Sequence, residues 1–153
     1  RMKPQLSGKR KNTIGQFNNL NVLIEKFLGK SNLPLNLESL TFSTFSSLTL
    51  NNESAYAISS FHGNPRYDFV LLENSQIIQL QLIFEFIHPF TKQSYPLVLA
   101  NSTSSLPEEL NLKRVSLKNS SPQLYPIHSI LSLVKTCPDL GRKQTFFILC
   151  NSI

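Results

Sequence analysis

The strongest constraint on the fold is the segment IIQLQLIFEFIH at residues 77–88. Successive side chains of an extended strand point to opposite faces, so its alternation predicts one long strand. One face is uniformly apolar and consists of Ile78, Leu80, Leu82, Phe84 and Phe86. The other face is mixed and consists of Gln79, Gln81, Ile83, Glu85 and Ile87. A strand with this pattern is expected to cover a hydrophobic core.

Two further strands are predicted beside it, RYDFVLLE at residues 66–73 and SYPLVLANS at residues 94–102. The short connections between the three favour an antiparallel meander. The preceding turn, FHGNP, uses Gly63 for positive φ and Pro65 to restrict the residue before it. Arg66 and Asp68 are two apart on the strand and therefore share a face, which predicts a local ion pair or turn brace.

The rest of the chain predicts more short strands and little helix. We expect one or two strands in 31–60, a polar loop at 103–112 and a turn at 120–126. We expect strands at 113–119 and 145–151, and either a strand or a helix at 127–137. This pattern predicts a mainly β fold, a small SH3/BAH-like antiparallel β-barrel, because a closed barrel has no exposed strand edges.

One amphipathic α-helix is predicted before the barrel, over residues 13–30. Thr13 and Gln16 form a capping-box pattern, and apolar residues then recur at helical spacing. Gly29 and Lys30 suit the C-terminal end of a helix. The predicted organisation is therefore a basic flexible arm at 1–12, a helix at 13–30 and a barrel at 31–153, together forming one globular domain.

The positive charge is concentrated at the start of the chain. The net charge is +6, and residues 1–12 contain five basic residues and no acid. The remaining ten basic and nine acidic residues leave the body near +1. The segment is either a solvated tail or a contact to phosphate. The predicted nucleic-acid-binding residues are those of the arm together with a second basic pair, namely Arg1, Lys3, Lys9, Arg10, Lys11, Lys113 and Arg114.

Motifs for catalysis are not recognisable in the sequence. It has no G-x-S-x-G nucleophile elbow, no glycine-rich phosphate loop and no regular spacing of metal ligands. We therefore predict no enzymatic activity, no cofactor and no metal site. No apolar run reaches the ~18 residues of a membrane span, so no membrane association is predicted. Because the chain starts at Arg1 without a start signal, we expect it to be part of a longer protein.

Residues 61–100 resemble the C-terminal region of fungal transposon-encoded proteins of the Plavaka/KDZ (Kyakuja–Dileera–Zisupton) type. The similarity is carried by RYD at 66–68, the apolar strand from Leu80 to Phe86 and YPL at 95–97. RVSL at 114–117 and LYPIHSILSLVKTCPDLG at 124–141 extend it to about two-thirds of the chain. The resemblance implies a non-catalytic domain of a transposon-derived nuclear protein, because catalytic acidic residues in metal-binding spacing are missing.

The strand order is also similar, more weakly, to that of bromo-adjacent homology (BAH) domains. This resemblance implies a barrel used in chromatin or protein contacts. An aromatic cage for methyl-lysine is not assigned, since Tyr56, Tyr67, Tyr95 and Tyr125 are dispersed and tryptophan is absent. The expected function is DNA or chromatin engagement by the arm, with the barrel as a docking or assembly surface for other domains or protein partners. Two alternatives remain: a BAH-like protein-interaction module without nucleic-acid contact, and an accessory fragment of a transposase whose catalytic domain lies elsewhere.

Overall fold

The computed structural model describes residues 3–29 and 40–151, without the side chains of residues 150 and 151. The fold is mainly β, as predicted, with one α-helix, α1 (Leu20–Leu28), in the described part. The predictions for Arg1 and for residues 30–39 lie outside the described residues.

The strands are β1 (Gln5–Ser7), β2 (Arg10–Thr13), β3 (Thr41–Phe45), β4 (Ser47–Leu50), β5 (Glu53–Phe61), β6 (Asn64–Tyr67), β7 (Phe69–Leu72), β8 (Ile77–Ile87), β9 (Ser94–Ser102), β10 (Ser104–Glu109), β11 (Leu112–Ser116), β12 (Pro122–Pro126), β13 (Ile130–Pro138) and β14 (Thr145–Asn151).

All strand pairs are antiparallel and form two sheets. The smaller, four-stranded sheet has the order β1-β4-β5-β6. The larger, ten-stranded sheet runs β10-β11-β14-β13-β7-β8-β3-β2, and β9 joins β8 and carries β12 on its other side. Neither order returns to its starting strand among the described residues. The antiparallel prediction is therefore confirmed, but the SH3/BAH-like barrel is not.

β8 organises the larger sheet. Its first half pairs with β7 and its second half with β3, while β9 runs along the opposite edge. The β8–β9 register shifts between Leu80 and Leu82, which makes Gln81 the extra residue of a β-bulge. Because a one-residue insertion reverses which face a side chain occupies, Ile78 and Leu80 pack into one core cluster, whereas Leu82, Phe84 and Phe86 pack into another. Ile83 is fully buried, although the alternation placed it on the mixed face.

The hydrophobic core consists of three clusters, and β8 contributes to two. The first cluster contains side chains of β4 and β5 from the smaller sheet and of β7, β8 and β9 from the larger one, including Leu48, Ala55, Val70, Ile83 and Val98. The second lies under α1 and includes Ile14, Leu20, Ile24, Phe42, Phe84 and Phe86. The third joins β7 to β11, β13 and β14 and includes Phe69, Leu71, Val115, Val134 and Ile148.

The helix begins later than predicted. Gln16 Oε1 accepts a hydrogen bond from Thr13 N–H at 2.7 Å, but this interaction caps a short 3-10 turn, Ile14–Gln16. Asn19 then adopts φ 61°, which separates that turn from α1. Gly29 ends the helix with φ 72°, and its N–H contacts the carbonyl groups of Glu25 and Lys26. The predicted C-terminal end of the helix was therefore more accurate than the predicted N-terminal end.

Several segments predicted as arm, loop or turn are strands. Residues 5–7 and 10–13 are β1 and β2 rather than a flexible arm. The predicted loop at 103–112 contains β10 and the start of β11, and the predicted turn at 120–126 contains β12. Segment 127–137 is a 3-10 turn followed by β13. These polar strands are stabilised by backbone pairing with a neighbour, which needs no apolar alternation.

Candidate nucleic-acid interface

Unpaired positive charge lies along one open end of the larger sheet. Among the described residues β2 pairs with β3 alone, and it carries Arg10 and Lys11 directly after Lys9. These three residues, called here the basic edge, are all exposed, as is Lys3 ahead of β1. Within the described ranges, no carboxylate oxygen lies within 4.0 Å of any of these four cationic groups. The described part of the chain therefore supplies these cations with no counter-charge within ion-pair distance.

The basic edge presents charge on both faces of the sheet. Arg10 is in register with Thr44, whereas Lys11 is in register with Ser43, which pairs in turn with Glu85. Residues in register share a face and consecutive residues alternate, so Arg10 and Lys11 point to opposite faces. On the face of Lys11, the Glu85 carboxylate is itself engaged, because its Oε2 accepts a hydrogen bond from Ser94 Oγ at 2.5 Å. Arg10 and Lys11 therefore lie on opposite sides of the sheet edge.

Arg10 lines a cleft between the two sheets, called here the inter-sheet cleft. Its volume is about 230 Å³, and β2, β3, β5 and β8 all contribute to its walls. Asn12 is fixed in it by a 2.6 Å hydrogen bond from Nδ2 to Thr44 Oγ1. The polar and aromatic residues around the cleft are Arg10, Asn12, Phe17, Thr44, Phe45, Ser46, Ser59, Tyr67 and Gln81.

A glycine corner holds the basic edge in place. The chain leaves the smaller sheet after β1 and enters the larger sheet at β2, turning at Gly8 with φ 77°. A Cβ at Gly8 would overlap Ser46 Oγ, so only glycine fits this corner. Ser46 marks the matching crossing between β3 and β4, and its N–H donates to Ser7 O at 3.0 Å. The basic residues are thus presented by two anchored strands.

Of the second predicted basic pair, one residue lies at the surface and the other is buried. Lys113 is exposed, but Arg114 is 9% exposed and its Nε donates to Pro107 O at 2.9 Å. Its terminal nitrogens lie 3.7 Å from Glu109 Oε2 and 4.0 Å from Asp139 Oδ2. This geometry favours a structural role for Arg114, because its charge faces carboxylates of the same chain.

Arg142 completes this group, called here the ion cluster (Glu109, Arg114, Asp139 and Arg142). Its Nη1 lies 2.7 Å from Glu109 Oε2 and 3.7 Å from Asp139 Oδ2. The hydrogen bond from Arg142 lowers the pKa of the Glu109 carboxyl below its ordinary value and raises the pKa of Arg142. Two arginines and two carboxylates therefore balance one another where the β10–β11 hairpin meets the loop before β14.

The predicted brace is built around Arg66. Its Nε lies 3.1 Å from both carboxylate oxygens of Asp68, and Asp68 Oδ2 also accepts the backbone N–H of Tyr56 at 2.9 Å. The guanidinium carbon lies 4.4 Å from the centroid of the Tyr56 ring and 4.6 Å from that of Phe61. Arg66 thus packs its guanidinium against two adjacent aromatic rings of the same chain.

The neighbouring turn supports the brace. Gly63 has φ 88°, which meets the positive φ that the turn was predicted to need. Pro65 lies on β6, an edge strand of the smaller sheet, where a missing backbone donor is tolerated. The four residues predicted as turn and brace are therefore contiguous in space as well as in sequence.

Sequence reasoning missed the uncharged part of the interface. Asn12, Ser59 and Gln81 line the cleft, yet none belongs to a charge pattern or a chemical motif. The sequence contains one signal for Gln81, because it is a polar residue within an otherwise apolar strand. In the described ranges, no group of three or more His, Cys, Asp or Glu residues is arranged to hold a metal ion, and no helix there is both long and apolar enough to cross a membrane.

Comparison of the chain with family models, with curated protein sequences and with solved structures gives no match.

Proposed function

We propose that this chain is a non-catalytic nucleic-acid-binding module of a transposon-derived nuclear protein, and that it engages phosphate through the basic edge. The observation that carries the proposal is the difference in pairing among the arginines. Arg10 faces the inter-sheet cleft without a carboxylate partner among the described residues, whereas Arg66, Arg114 and Arg142 are all paired. Unpaired cations on an anchored strand suit a polyanion, because binding releases counterions from the phosphates.

The association with transposon-derived and chromatin proteins rests on the sequence resemblance. RYD at 66–68, the following apolar strand and YPL at 95–97 carry that part of the proposal. The basic edge adds a physical reason for DNA or chromatin as the partner. The remainder of the surface would then serve for docking to other domains or protein partners.

The alternative is a BAH-like protein-interaction module that makes no nucleic-acid contact. Two almost fully exposed leucines favour it, Leu110 at 80% and Leu140 at 97% exposure. They lie on the β10–β11 hairpin and on the loop before β14, which the Glu109–Arg142 hydrogen bond joins. Exposed apolar side chains at linked loops are typical of protein contacts.

Substitutions test the proposal better than a deletion, because removing residues 1–11 would also remove β1 and half of β2. We would replace Lys9, Arg10 and Lys11 together by glutamine and measure DNA binding by fluorescence anisotropy from about 50 to 200 mM salt. Loss of three phosphate contacts is expected to make the slope of log K against log salt shallower by roughly 2.7.

The matched control replaces Lys26, Lys118 and Lys143 by glutamine, which changes the net charge equally on exposed residues elsewhere. Its slope is expected to stay at the wild-type value. Equal losses in the two triple variants would mean that net charge alone drives binding, and the assignment to the basic edge would be wrong. Absence of wild-type binding at low salt would leave the protein-interaction module as the better explanation.

A further inference from the structure

The size of the inter-sheet cleft limits which ligand can bind there. Its volume of about 230 Å³ lies below the ~300 Å³ at which pockets for drug-sized ligands begin, so it suits a group the size of one nucleobase. A double helix is too wide to enter such a cleft. A base can reach it only when it is unpaired and unstacked from its neighbours.

The polar atoms of the cleft suit the edge of a base. Asn12 uses Nδ2 to bind Thr44, and Gln81 uses Nε2 to bind Gln79 Oε1 at 3.0 Å. The carbonyl oxygens of both amides have no hydrogen-bond partner among the described residues, and the two orientations are fixed by those donor contacts. Two oriented acceptors can receive the N–H donors of a base edge.

The β-bulge explains why Gln81 is available. The extra residue of a bulge is left out of the regular ladder, and its side chain is re-aimed. Here the bulge delivers an amide into a wall of the cleft that is otherwise formed by apolar and hydroxyl side chains. Arg10, which lines the same cleft from β2, adds a planar cation that can stack on a base or bind its phosphate.

We infer that the inter-sheet cleft holds one unpaired base, and that the module therefore prefers single-stranded to double-stranded nucleic acid. This inference rests on the proposed function and names the form of nucleic acid that the same site takes. Arg10 lies at the cleft itself, and its chain neighbours Lys9 and Lys11 extend the positive charge along the edge to the phosphates beyond the bound base.

Filling the cleft tests the inference. Ser59 lines the cleft, whereas Ser60, the next residue of β5, does not, and both are exposed. The probes are a labelled deoxyadenylate strand of about 12 nucleotides, whose bases each carry an amino group with two N–H donors, and the same strand annealed to deoxythymidylate. We expect the wild-type protein to bind the single strand at least roughly tenfold more tightly, Ser59→Phe to lose that preference, and Ser60→Phe to retain it.

Gln81→Leu provides a second variant, which removes the amide but keeps a similar side-chain size. It is expected to weaken single-strand binding by roughly tenfold and to leave duplex binding and its salt slope unchanged. Equal or tighter binding of the duplex by the wild-type protein would overturn the inference, as would full single-strand preference in Ser59→Phe. The proposed function would survive either result as long as the Lys9, Arg10 and Lys11 substitutions still make the salt dependence of binding shallower.

Discussion

The basic edge and the ion cluster are both rich in positive charge, and the fold uses that charge in opposite ways. Lys9, Arg10 and Lys11 are exposed along an open strand, without a carboxylate within ion-pair distance in the described ranges. In the ion cluster, Arg114 and Arg142 face Glu109 and Asp139. A basic residue is therefore suited to bind an anionic ligand only where no carboxylate of the same chain already neutralises its charge.

The difference comes from which segments meet in space. The ion cluster forms because Glu109, at the end of β10, lies beside Arg142 in a loop 33 residues later. No acidic residue occurs in residues 1–12, and in the described part of the chain β2 has a neighbour on one side only. Charge that is partnered stabilises the fold, while the function proposed above uses the charge at the open edge.

The largest expected effect on stability is at the ion cluster. Arg114→Met should lower the free energy of unfolding by about 3 kcal/mol, because it removes a buried cation from beside two carboxylates and leaves the Pro107 carbonyl without its donor. Lys113→Gln, at the exposed neighbour, should change it by less than about 0.5 kcal/mol. Urea denaturation measures both. If both substitutions lowered the free energy of unfolding equally, the contacts of Arg114 with the carboxylates would not explain its contribution to stability.

The glycine corner tests whether the basic edge is anchored. Gly8→Ala should destabilise the protein by about 2.5 kcal/mol, since alanine disfavours positive φ and its methyl group would overlap Ser46. Gly63→Ala shares only the positive φ, because nothing lies within 4 Å of the position that its methyl group would occupy, and should cost about 1 kcal/mol. If thermal unfolding gave both variants the same stability, the corner would not constrain β2.

Arg66 is an intermediate case, paired but one-third exposed. Asp68→Ala should lower the free energy of unfolding by about 2 kcal/mol, because Arg66 loses its carboxylate and the backbone N–H of Tyr56 loses its acceptor. Asp68→Asn retains an oxygen for Tyr56 and should cost about half as much. Chemical denaturation of both variants separates the hydrogen bond from the ion pair. A larger loss for asparagine than for alanine would contradict this division.

The smallest effect is the pH dependence of the ion cluster. The hydrogen bond from Arg142 lowers the pKa of Glu109 in the folded state. Its stabilisation is therefore present above the ordinary carboxyl pKa of about 4.5 and is lost as the pH falls through the lower, folded-state pKa. Glu109→Gln should flatten this part of the acid limb in a stability profile from about pH 7 to pH 3.

Glu108→Gln is the control for that measurement, because it removes the adjacent carboxylate and leaves the Glu109–Arg142 hydrogen bond intact. Its acid limb should follow that of the wild-type protein. An unchanged acid limb in Glu109→Gln would show that the cluster makes no pH-dependent contribution.

Prediction from the sequence succeeded where one segment carries its own signal. The strands at residues 77–88, 94–102 and 145–151 were placed almost to the residue, since alternating apolar side chains mark a strand locally. Polar strands such as β10 and β12 were missed, because backbone pairing with a distant neighbour defines them. In the candidate site, the cations of the basic edge were predicted, but Gln81 and Ser59 were not.

The sequence by itself determined the mainly β character, the central apolar strand, the helix C-terminus at Gly29 and the concentration of charge in the first twelve residues. These features depend on side chains that are close together in the chain. Only the tertiary structure decided that this segment forms two anchored strands, that Gln81 is a bulge facing a cleft and that Arg114 is paired with carboxylates. Those outcomes depend on strand register and on Coulomb interactions between distant segments, which local alternation and charge counts do not specify.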